Sequence, residues 1–531
     1  MSKPGKKSDK KSRPNKAAPA AFYEAATPTR HRKHHRDGGS PNHLVQQGAV
    51  ALRNQARFLE RNHDICRGIL RTLVNNVVGP VGIGIEPQPR RADGTIHEDY
   101  AKALRDAWRD WQRRPEVTWR MTWAKAQRMA ARGWFRDGET FAQMLTGAVP
   151  YLDHGTRVPL SLELFEADMV PMEFSDATRK IRQGIETNAW GRFTGAWVYK
   201  THPGDMPGLM QAGDMKRIPS ERLLHLVSLD RLHQLRGVSE FASIITRVED
   251  VKDYEESERV AAKLAARLTM YVKRNSPDGF DAERDAREKD ADGNVIPREI
   301  ELQAGTIIDS LAVGEEIGLV DSKRPNPNAL TWRMGQLRAA AAGIGASYSS
   351  IARDYDGTYS AQRQELVEQW VHYAVLTDEF TGMFVQPTWE AFVQAADLSG
   401  VVPRPADVTP ESADDALFVG QSMPWIDPMK EAMAWLTLVR AGFASEVEVM
   451  RKRGVNPRDV LEQIDAWRKQ ANDKGLVFDS DAAKASKAGA AQDYLRAREG
   501  IGEQDANQSS SSPKNRTRSR ARSGSTQQEA A

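Results

Sequence analysis

The longest regular pattern in this chain is an apolar stripe of helical period that runs through residues 237–274. Large apolar side chains recur every three or four residues from Phe241 to Val251, and the stripe resumes at Val260 and ends near Tyr271. No proline and no internal glycine interrupts it. The pattern predicts a single helix of about 35 residues, with a length of ~50 Å. Because the average globular helix has about a dozen residues, we expect other elements to pack along its length.

Hydrophobic periodicity elsewhere predicts a mixed α+β chain. A block at residues 140–226 alternates apolar and polar residues as strands do, and helical spacing dominates on both sides of it. The predicted helices are Leu44–Val78 with a break at Asn62–Asp64, Asp99–Gln112, Thr122–Asp137, a stretch from near Leu330 and a stretch from near Ser360 towards Phe384. A compact helical region is predicted over Asp427–Ala471. The chain has 13 tryptophans. On helical faces we interpret them as core or subunit-contact residues, with base stacking as the alternative.

Charge is distributed unevenly along the 531 residues, whose net charge is +3. Residues 1–36 carry +9 and residues 507–531 carry +4, which leaves −10 for the body between them. A protein that grips nucleic acid usually has a basic folded domain. The acidic body therefore argues against a sequence-reading DNA binder and is compatible with a surface that DNA slides past. For the basic tails, solubilising disorder and a nucleic-acid role both stay open.

The hydrophobic pattern predicts neither a membrane segment nor a secretory signal. No apolar run approaches the ~18 residues of a bilayer span, and no apolar stretch follows the N-terminal positive charges. Cys66 is the only cysteine, so an intramolecular disulfide is excluded. We therefore expect a reducing, intracellular setting and no membrane partner.

One acidic motif has the spacing of a catalytic site. In Asp354-Tyr-Asp356-Gly-Thr358, the two aspartates are placed as in phosphotransferases that use the first as nucleophile and the second as acid or base, beside a metal ion. That chemistry needs a buried apolar strand directly before the motif. Residues 346–353 do not have that pattern, so a turn is the favoured interpretation.

A second acidic motif, Asp290-Ala-Asp-Gly-Asn294 with Glu301 at the twelfth position, is similar to a calcium-binding loop. Val295 replaces the glycine needed at the sixth position and Pro297 disturbs the later ligands, so we expect an Asp-Gly turn between two short strands. No Cys/His metal spacing, nucleophile elbow or phosphate-binding loop occurs. We predict no catalytic residue, no cofactor-binding residue and no metal ligand, and interpret the chain as a structural protein rather than an enzyme.

A series of short blocks carries a family resemblance. The blocks are Asn62–Gly68, Asn75–Gly79, Trp108 with Trp111, Arg136–Glu139, Ile218–His225, Arg231 with Gln234, Arg236–Ser239, Gly305–Ile307 with Leu311, Gly314-Glu315, Gly345 with Tyr348, Asp354-Tyr355, Tyr359–Arg363, Pro424-Trp425, Asp427-Pro428 and Lys430–Ala432. In their order and spacing they resemble the portal proteins of lambda-type tailed phages, over nearly all of residues 44–470. Two positions depart from the family pattern: His233 replaces a glycine, and Thr358-Tyr-Ser-Ala replaces Asn-Tyr-Ser-Ser.

The resemblance implies a homo-oligomeric ring, usually of twelve copies, at the portal vertex of a virion, assembled in the host cytoplasm. Double-stranded DNA would pass through its lumen without sequence specificity. The implied partners are the terminase large subunit, the major capsid and scaffold proteins, and the head–tail joining proteins. Like the family, the chain would have no catalytic activity and no cofactor.

The resemblance also implies a portal fold of class α+β, with a wing, a long-helix stem, a small α/β clip and a helical crown between disordered basic termini. The implied bounds are 1–42 for a disordered basic arm, 43–236 and 346–414 for the wing, the latter with a tunnel-facing segment, 237–274 and 329–345 for two stem helices, 275–328 for the clip, 415–475 for the crown, and 476–531 for a largely disordered tail.

Two other interpretations stay open. The chain could be another phage structural protein, such as a capsid or baseplate subunit. Alternatively, it could be a metal-dependent phosphotransferase or nuclease that uses Asp354 and Asp356. A ring with a central hole, seen by microscopy, would favour the portal interpretation over both.

Overall fold

The computed structural model describes residues 38–205, 212–267, 270–274, 315–319, 326, 328–423 and 427–478. Described residues up to Gln421 form one compact unit, and those from Ser422 form a second. The helices of the first unit are α1 (Pro41–Asn62), α2 (Asp64–Val77), α3 (Glu98–Trp111), α4 (Trp123–Asp137), α5 (Ile245–Arg267), α6 (Ala329–Gly343), α7 (Tyr348–Ala352), α8 (Tyr359–Phe380) and α9 (Gln386–Leu398). Its strands are β1 (Gly84–Pro87), β2 (Glu139–Thr146), β3 (Leu160–Glu166), β4 (Ile181–Arg182), β5 (Ile185–Thr187), β6 (Phe193–Tyr199), β7 (Met215–Pro219), β8 (Leu223–Val227), β9 (Met270–Arg274), β10 (Glu315–Leu319) and β11 (Ala416–Val419). The chain is thus a mixture of helices and small sheets, as predicted.

Large aromatic side chains from α3, α4, α8 and α9 form the core of the first unit. Trp108 stacks on Trp111 with ring centroids 4.6 Å apart and meets Trp389 edge to face at 5.3 Å. The Trp111 indole N–H donates to the Leu160 carbonyl at 2.8 Å and so joins the helices to β3. Five helical tryptophans of this cluster are buried, namely Trp108, Trp111, Trp123, Trp134 and Trp389. For these five, the core interpretation is confirmed.

Two small antiparallel sheets pack beside the helices, and β2 lies between two clusters of buried residues. The sheets have the strand orders β3-β2-β8 and β4-β5-β6-β7. Because successive side chains of a strand point to opposite faces, Phe141 of β2 packs with Val198 of the second sheet. Its neighbours Ala142 and Met144 face the aromatic core instead. The predicted strand block at residues 140–226 is confirmed.

The helix predicted at residues 237–274 is shorter in the structure. A 3₁₀ turn occupies Glu240–Ser243, where Ser239 accepts a hydrogen bond from the Phe241 N–H. Helix α5 then begins at Ile245 and ends at Arg267. Periodicity alone overestimated the helix, because the Ser239 cap sets a 3₁₀ turn at its start and sheet pairing competes at its end.

Strand β9 occupies the end of the predicted helix and pairs antiparallel with β10. Met270 lies opposite Leu319, and Arg274 lies opposite Glu315. Aromatic and β-branched residues such as Tyr271 favour this extended geometry. The chain therefore leaves α5 through a two-stranded ribbon and returns through it to α6.

Helix α6 runs antiparallel to α5 and confirms the helix predicted from near Leu330. Arg247, near the start of α5, donates to Gln336 at 2.5 Å, and Glu255, further along, accepts from Arg333 at 2.5 Å. The Tyr254 ring packs 4.4 Å from that of Trp332. The contacts thus run in opposite directions along the two helices.

Other predicted elements agree with the structure, with small changes in their ends. The predicted break at Asn62–Asp64 separates α1 from α2, where the His63 side chain accepts from the Ile65 N–H. The stretch from Ser360 forms α8, which continues through a π-helical turn at Thr381–Val385 into α9. The bound at residue 42 predicted for the basic arm lies inside α1. Ser40 caps α1 and Asn42 is buried.

The second unit contains α10 (Pro428–Arg440), α11 (Glu446–Lys452) and α12 (Pro457–Asp473) and confirms the helical region predicted at Asp427–Ala471. Asp427, Ser445 and Asn456 cap the three helices through their side chains. Among the described residues of this unit, only two, Pro457 and Ala471, are buried. The three helices therefore have almost no apolar core of their own.

Several predictions fall outside the described residues. These are most of the basic arm and of the C-terminal tail, the turn at Asp290–Asn294 and the strand core at Thr306–Leu311. In the part of the chain that is described, no helix combines the length and the hydrophobicity needed to cross a membrane.

Candidate functional site

A fully buried ion pair holds the segment that leads into α5. Glu139, the first residue of β2, and Arg236 are both inaccessible to solvent. Arg236 Nε lies 2.9 Å from each carboxylate oxygen of Glu139, and its Nη2 donates to Oε1 at 2.6 Å. His225 Nε2 and the Gly237 N–H each lie 3.1 Å from Oε2. The carboxylate therefore has charged or polar partners at both oxygens, as a buried charge requires.

Arg236 also holds three backbone carbonyls with the rest of its guanidinium. Nη1 donates to Gln183 at 2.6 Å and to Val170 at 3.2 Å, and Nη2 donates to Ala167 at 3.2 Å. Gln183 lies between β4 and β5, and the other two residues follow β3. One side chain thus connects the entry to α5 with both small sheets.

A second layer of ion pairs connects α1 and α4 to this buried pair. The pairs are Arg57–Asp137, Arg57–Asp168, Arg136–Asp137, Arg136–Glu60 and Arg53–Asp168, with N···O distances of 2.6–3.4 Å. Arg53 Nη2 also lies 3.5 Å from Glu139 Oε1 and so joins the two layers. We call these residues, together with Glu139, His225 and Arg236, the ion-pair network.

The electrostatics of the network suit a structural role. Burial alone would raise the pKa of Glu139, but the Arg236 guanidinium and the His225 hydrogen bond hold the pKa of this carboxyl well below its ordinary range. Burial lowers the pKa of His225, and Glu139 offsets only part of that effect. A general acid or base needs access to a substrate and a pKa near the working pH. Glu139 has neither.

Two glycines allow the backbone to cross beside the network. Gly138 ends α4 with φ +86°, and a Cβ built there would lie 2.3 Å from the Val238 backbone. A Cβ on Gly237 would lie 2.0 Å from the Gly138 carbonyl oxygen. No side chain fits either position. The crossing therefore fixes the segment before α5 against the end of α4.

The first turn of α5 is held from a third direction. His63, at the junction of α1 and α2, is buried, and its Nε2 lies 3.2 Å from the Val248 carbonyl oxygen. Its Nδ1 lies 3.3 Å from the Ile65 backbone N and 3.0 Å from Asp64 Oδ1. Val248 itself and Val251 are buried against the body. The base of α5 is thus rigidly attached to the helical core.

The motif Asp354-Tyr-Asp356 forms a turn rather than a catalytic strand end. Helix α7 precedes it, and Arg353 is left-handed with φ +55°. The Tyr348 hydroxyl donates to Asp354 at 2.9 Å and the Asp356 N–H donates at 3.2 Å, and these bonds lower the pKa of Asp354. The turn interpretation is confirmed, and the strand that the phosphotransferase alternative requires is absent from residues 346–353.

Within the described residues, one group of three acidic or imidazole side chains could approach a metal ion: Glu166, Asp168 and His202, whose ligand atoms lie within 4.8 Å of one another. Arg57 Nη2 lies 2.6 Å from Asp168 and 3.2 Å from Glu166. A guanidinium so close repels a dication. We therefore assign these carboxylates to the ion-pair network.

Comparison with known proteins gives the family of this chain. The sequence model of the family described as "Phage portal protein, lambda family" matches residues 27–376. The chain belongs to this family. Its matched part includes α1 to α7 and most of α8.

Curated relatives have names of the same kind. The "Probable portal protein" of Halomonas phage phiHAP-1 is 25% identical over 81% of this chain and 82% of its own length. The "Portal protein" of Escherichia phage N15 is 23% identical and "Portal protein B" of Escherichia phage lambda is 22% identical. Each of these two matches covers 59% of this chain and 63% of the relative.

Solved structures show a weaker likeness. A chain from the neck of a native GTA particle, computed with C12 symmetry, is 13% identical with a TM-score of 0.39, over 77% of this chain and 94% of that chain. A chain from the neck of an empty GTA particle, computed with C6 symmetry, is 12% identical with a TM-score of 0.40, over 79% and 95%. Likenesses at these TM-scores say nothing about the assembly that this chain forms.

The family blocks named from the sequence converge on the ion-pair network. The block Arg136–Glu139 supplies both layers, Ile218–His225 supplies His225, and Arg236–Ser239 supplies Arg236 and the crossing glycine. The arginines and glutamate of α1, Arg53, Arg57 and Glu60, stand in no block. Sequence reasoning missed them, and their only signal is that polar residues interrupt an otherwise buried helical face.

The structure shows the local geometry at His233 and Thr358, where the chain departs from the family pattern. His233, which replaces a glycine, has φ +63°, the left-handed geometry that glycine adopts without strain. Its carbonyl accepts from Asn42 Nδ2 at 2.8 Å. Thr358, which replaces an asparagine, caps α8 by accepting from the Ala361 N–H at 3.4 Å. An asparagine would serve equally well as this cap.

Proposed function

We propose that this chain is the portal subunit of a tailed phage. Twelve copies form a ring at one vertex of the capsid, and double-stranded DNA passes through the centre of the ring during packaging and ejection. Membership of the lambda portal family over residues 27–376 is the observation that carries the proposal. The match to the phiHAP-1 relative over 81% of the chain supports it, because the similarity extends far beyond one motif.

In this proposal α5 and α6 are the two stem helices, with bounds of 245–267 and 329–343 rather than the longer bounds predicted from the sequence. The antiparallel pairing of the helices supports the assignment. So does their rigid attachment to the body through the ion-pair network and His63, because a helix that resists packaging forces needs a fixed base. The remaining elements of the first unit form the wing, and α10 to α12 form the crown.

The segment between β9 and β10 is the clip of the proposed portal, which docks the terminase large subunit and later the head–tail joining proteins. Support comes from the ribbon, since Arg274 and Glu315 are register partners. The two described ends of the segment therefore lie side by side. The wing is the surface proposed to meet the major capsid and scaffold proteins.

The proposed channel passes DNA without reading its sequence. Each Lys or Arg contact with phosphate adds salt-sensitive affinity, so a channel that grips DNA tightly would slow its movement. The −10 charge of the body between the basic tails supports a weakly binding channel. Because a portal is part of the phage particle, we propose the virion as the location of this chain.

Electron microscopy of the purified full-length protein tests the proposal. We expect rings with a central hole and about twelvefold symmetry, and rescue of genome packaging when the gene complements a portal-defective phage. Closed shells, sheets or monomers alone would contradict a portal and favour another structural role. Metal-dependent hydrolysis that is lost in Asp354→Ala would support the enzymatic alternative instead.

A further inference from the structure

A cavity of about 690 Å³ lies between α3, β8 and α9 in the first unit. Its apolar lining comes mainly from Met144, Leu223, Leu224 and Val393, all of which are buried. A volume of this size is within the range of small-molecule sites in proteins, which is about 300–1,000 Å³. Of the ion-pair network, only His225 reaches the lining. The cavity is therefore a separate feature of the fold.

Four carboxylates surround this apolar lining. They belong to Glu221, Glu390, Asp397 and Asp414, and the only Lys or Arg among the described lining residues is Arg404. Four negative charges and one positive charge leave the lining with −3. A concave surface lined mainly by one sign of charge attracts ligands of the opposite sign. The cavity thus favours a cation over an anion or a neutral molecule.

Hydrogen bonds hold the carboxylate-bearing segments in place. Asp397 accepts from the Arg404 backbone N–H at 2.8 Å, and the Arg404 guanidinium donates to the Val408 carbonyl at 2.8 Å. The backbone carbonyl of Asp414 accepts from the Trp389 indole N–H at 2.8 Å. These bonds fix the loop between α9 and β11 against the helix. A ligand would meet a preformed site, which lowers the entropic cost of binding.

A buried hydroxyl without a partner indicates what kind of ligand the cavity takes. Tyr100 lines the cavity and is 3% exposed, and its hydroxyl makes no hydrogen bond within the described part of the chain. Burial raises the pKa of Tyr100 to about 12, and the carboxylates of Asp397 and Asp414 add to the increase. The hydroxyl therefore lies near these two acids. Buried polar groups normally have a partner, and a ligand N–H could donate both to this hydroxyl and to the carboxylates.

The spacing of the carboxylates favours an extended cation over a metal ion. Ca²⁺ and Mg²⁺ need several oxygens at about 2.0–2.6 Å. Among the described residues, no three acids of this cavity bring their oxygens within 4.8 Å of one another. A linear polyamine has ammonium groups separated by methylene chains. The ammonium groups can reach carboxylates that lie apart, while the methylenes cover the apolar lining.

We propose that this cavity binds a linear aliphatic polyamine. One ammonium group donates to the Tyr100 hydroxyl and to the carboxylates of Asp397 and Asp414. The exposed acids Glu221 and Glu390 attract the remaining ammonium groups. This site goes beyond the proposed function and does not depend on it, because a single copy of the chain supplies the whole lining.

Isothermal titration calorimetry of the full-length protein with spermidine tests the site. We expect saturable binding of one spermidine per chain. Asp397→Asn with Asp414→Asn keeps the shape of both side chains and removes two charges, so it should weaken binding about tenfold or more. Tyr100→Phe removes only the hydroxyl and should weaken binding about threefold to tenfold. Without ligand, its thermal midpoint should stay at or above that of the wild type, because an unpaired buried hydroxyl is lost.

Asp250→Asn with Asp253→Asn on α5 is the matched control. Both aspartates are exposed and lie outside the cavity, so the same loss of two charges should leave the affinity within about twofold. An equal loss in the control, or no loss in the cavity variants, would overturn the proposal. So would Mg²⁺ that binds as tightly as spermidine and is weakened by the same cavity variants, because the ligand would then be a metal ion.

A lysine side chain carries the same ammonium group as a polyamine, so the basic tails of the chain are a second source of this chemistry. The spermidine titration is therefore repeated on full-length protein in which the Lys and Arg of residues 1–36 and 507–531 are replaced by serine. An unchanged dissociation constant supports a free polyamine. Binding that becomes several-fold tighter would show that the tails occupy the cavity and would overturn the free ligand.

Discussion

Among single residues, Glu139 is the one whose replacement should cost the most stability. Its carboxylate neutralises Arg236 in the interior and lies 3.5 Å from Arg53. Glu139→Gln keeps the shape but leaves a buried guanidinium without its counter-ion, which costs about 3–5 kcal/mol. Chemical denaturation should show this loss in the unfolding of the first unit. Glu221→Gln, at an exposed position, is the control and should change stability by less than about 0.5 kcal/mol.

His225 should make stability depend on pH. Burial lowers the pKa of His225, so the unfolded chain binds a proton at a higher pH than the folded chain does. The contribution of neutral His225 to the free energy of unfolding is therefore fully present above the ordinary histidine pKa of ~6.5, and it decreases as the pH falls below that value. Free energies of unfolding measured at pH 7.5 and 5.5 should show the decrease. In His225→Asn the decrease should be smaller but still present, because burial also lowers the pKa of His372.

His233 stores strain that glycine would relieve. Its φ of +63° is unfavourable for a side chain with a Cβ, and the family pattern has glycine at this position. His233→Gly should therefore stabilise the fold by about 0.5–1 kcal/mol, measured as a higher thermal midpoint. Leu232→Gly next to it, at a position without positive φ, should give no such gain. Equal effects of the two changes would refute the strain explanation.

At this scale, sequence reasoning identified some network residues but not the network. Glu139, His225 and Arg236 were each noticed in family blocks, without a shared role. Their convergence depends on strand pairing between β2 and β8 and on the backbone crossing at Gly138, and one sequence does not specify which distant segments meet. Asp354 and Asp356 could be assigned to a turn, because the residues before them exclude a buried strand.

Among the elements, α5 depends most on how it starts. A Cβ on Gly237 would lie 2.0 Å from the Gly138 carbonyl oxygen, so Gly237→Ala must displace backbone. We expect a loss of roughly 2 kcal/mol or more in unfolding free energy, with fewer rings formed. Gly68→Ala is the matched control. Gly68 lies within α2 with nothing near its Cβ position, so alanine there should stabilise by up to about 1 kcal/mol.

The predicted elements show what periodicity can and cannot specify. It located α1 to α4, α6 and the start of α8 to within a few residues, since amphipathic spacing is a local property, but it did not predict α7 or α9. It failed at both ends of α5. At the start the Ser239 side chain caps a 3₁₀ turn, and at the end β9 pairs with β10, a strand distant in sequence. The apolar residues do recur at helical spacing in the sequence, but in the structure they belong to a 3₁₀ turn, a helix and a strand in succession.

For the whole molecule, the charge separation between tails and body leads to a prediction about DNA. Residues 1–36 and 507–531 carry +9 and +4, and the body carries −10. Removing both tails should weaken non-specific binding to double-stranded DNA and flatten its dependence on salt concentration, because fewer counter-ions are released. Fluorescence anisotropy over a range of salt concentrations measures both. Full-length protein with the tail Lys and Arg replaced by serine should behave like the truncated protein. An unchanged slope would place the DNA contacts in the body.

The second unit adds a point about the assembled particle. Its three helices bury almost nothing, with Met429, Trp467 and Phe443 at least half exposed. Composition could predict helices there but not their lack of a core. A chain segment with so little buried apolar surface is marginally stable by itself. In the proposed portal, contacts within the ring would supply the missing burial.

The β9–β10 ribbon affects how such proteins can diverge. Arg274 and Glu315 are register partners, so the segment between them starts and ends at the same place. A change in the length of this segment therefore need not alter the rest of the fold. Lengthening such an excursion costs little, about 0.6 kcal/mol for each doubling. Related genes can therefore exchange or expand this stretch while the helical body keeps its sequence constraints. Comparison of portal genes should show insertions and deletions concentrated between these two positions. Such changes would alter the segment proposed to dock partner proteins and leave the helical body unchanged.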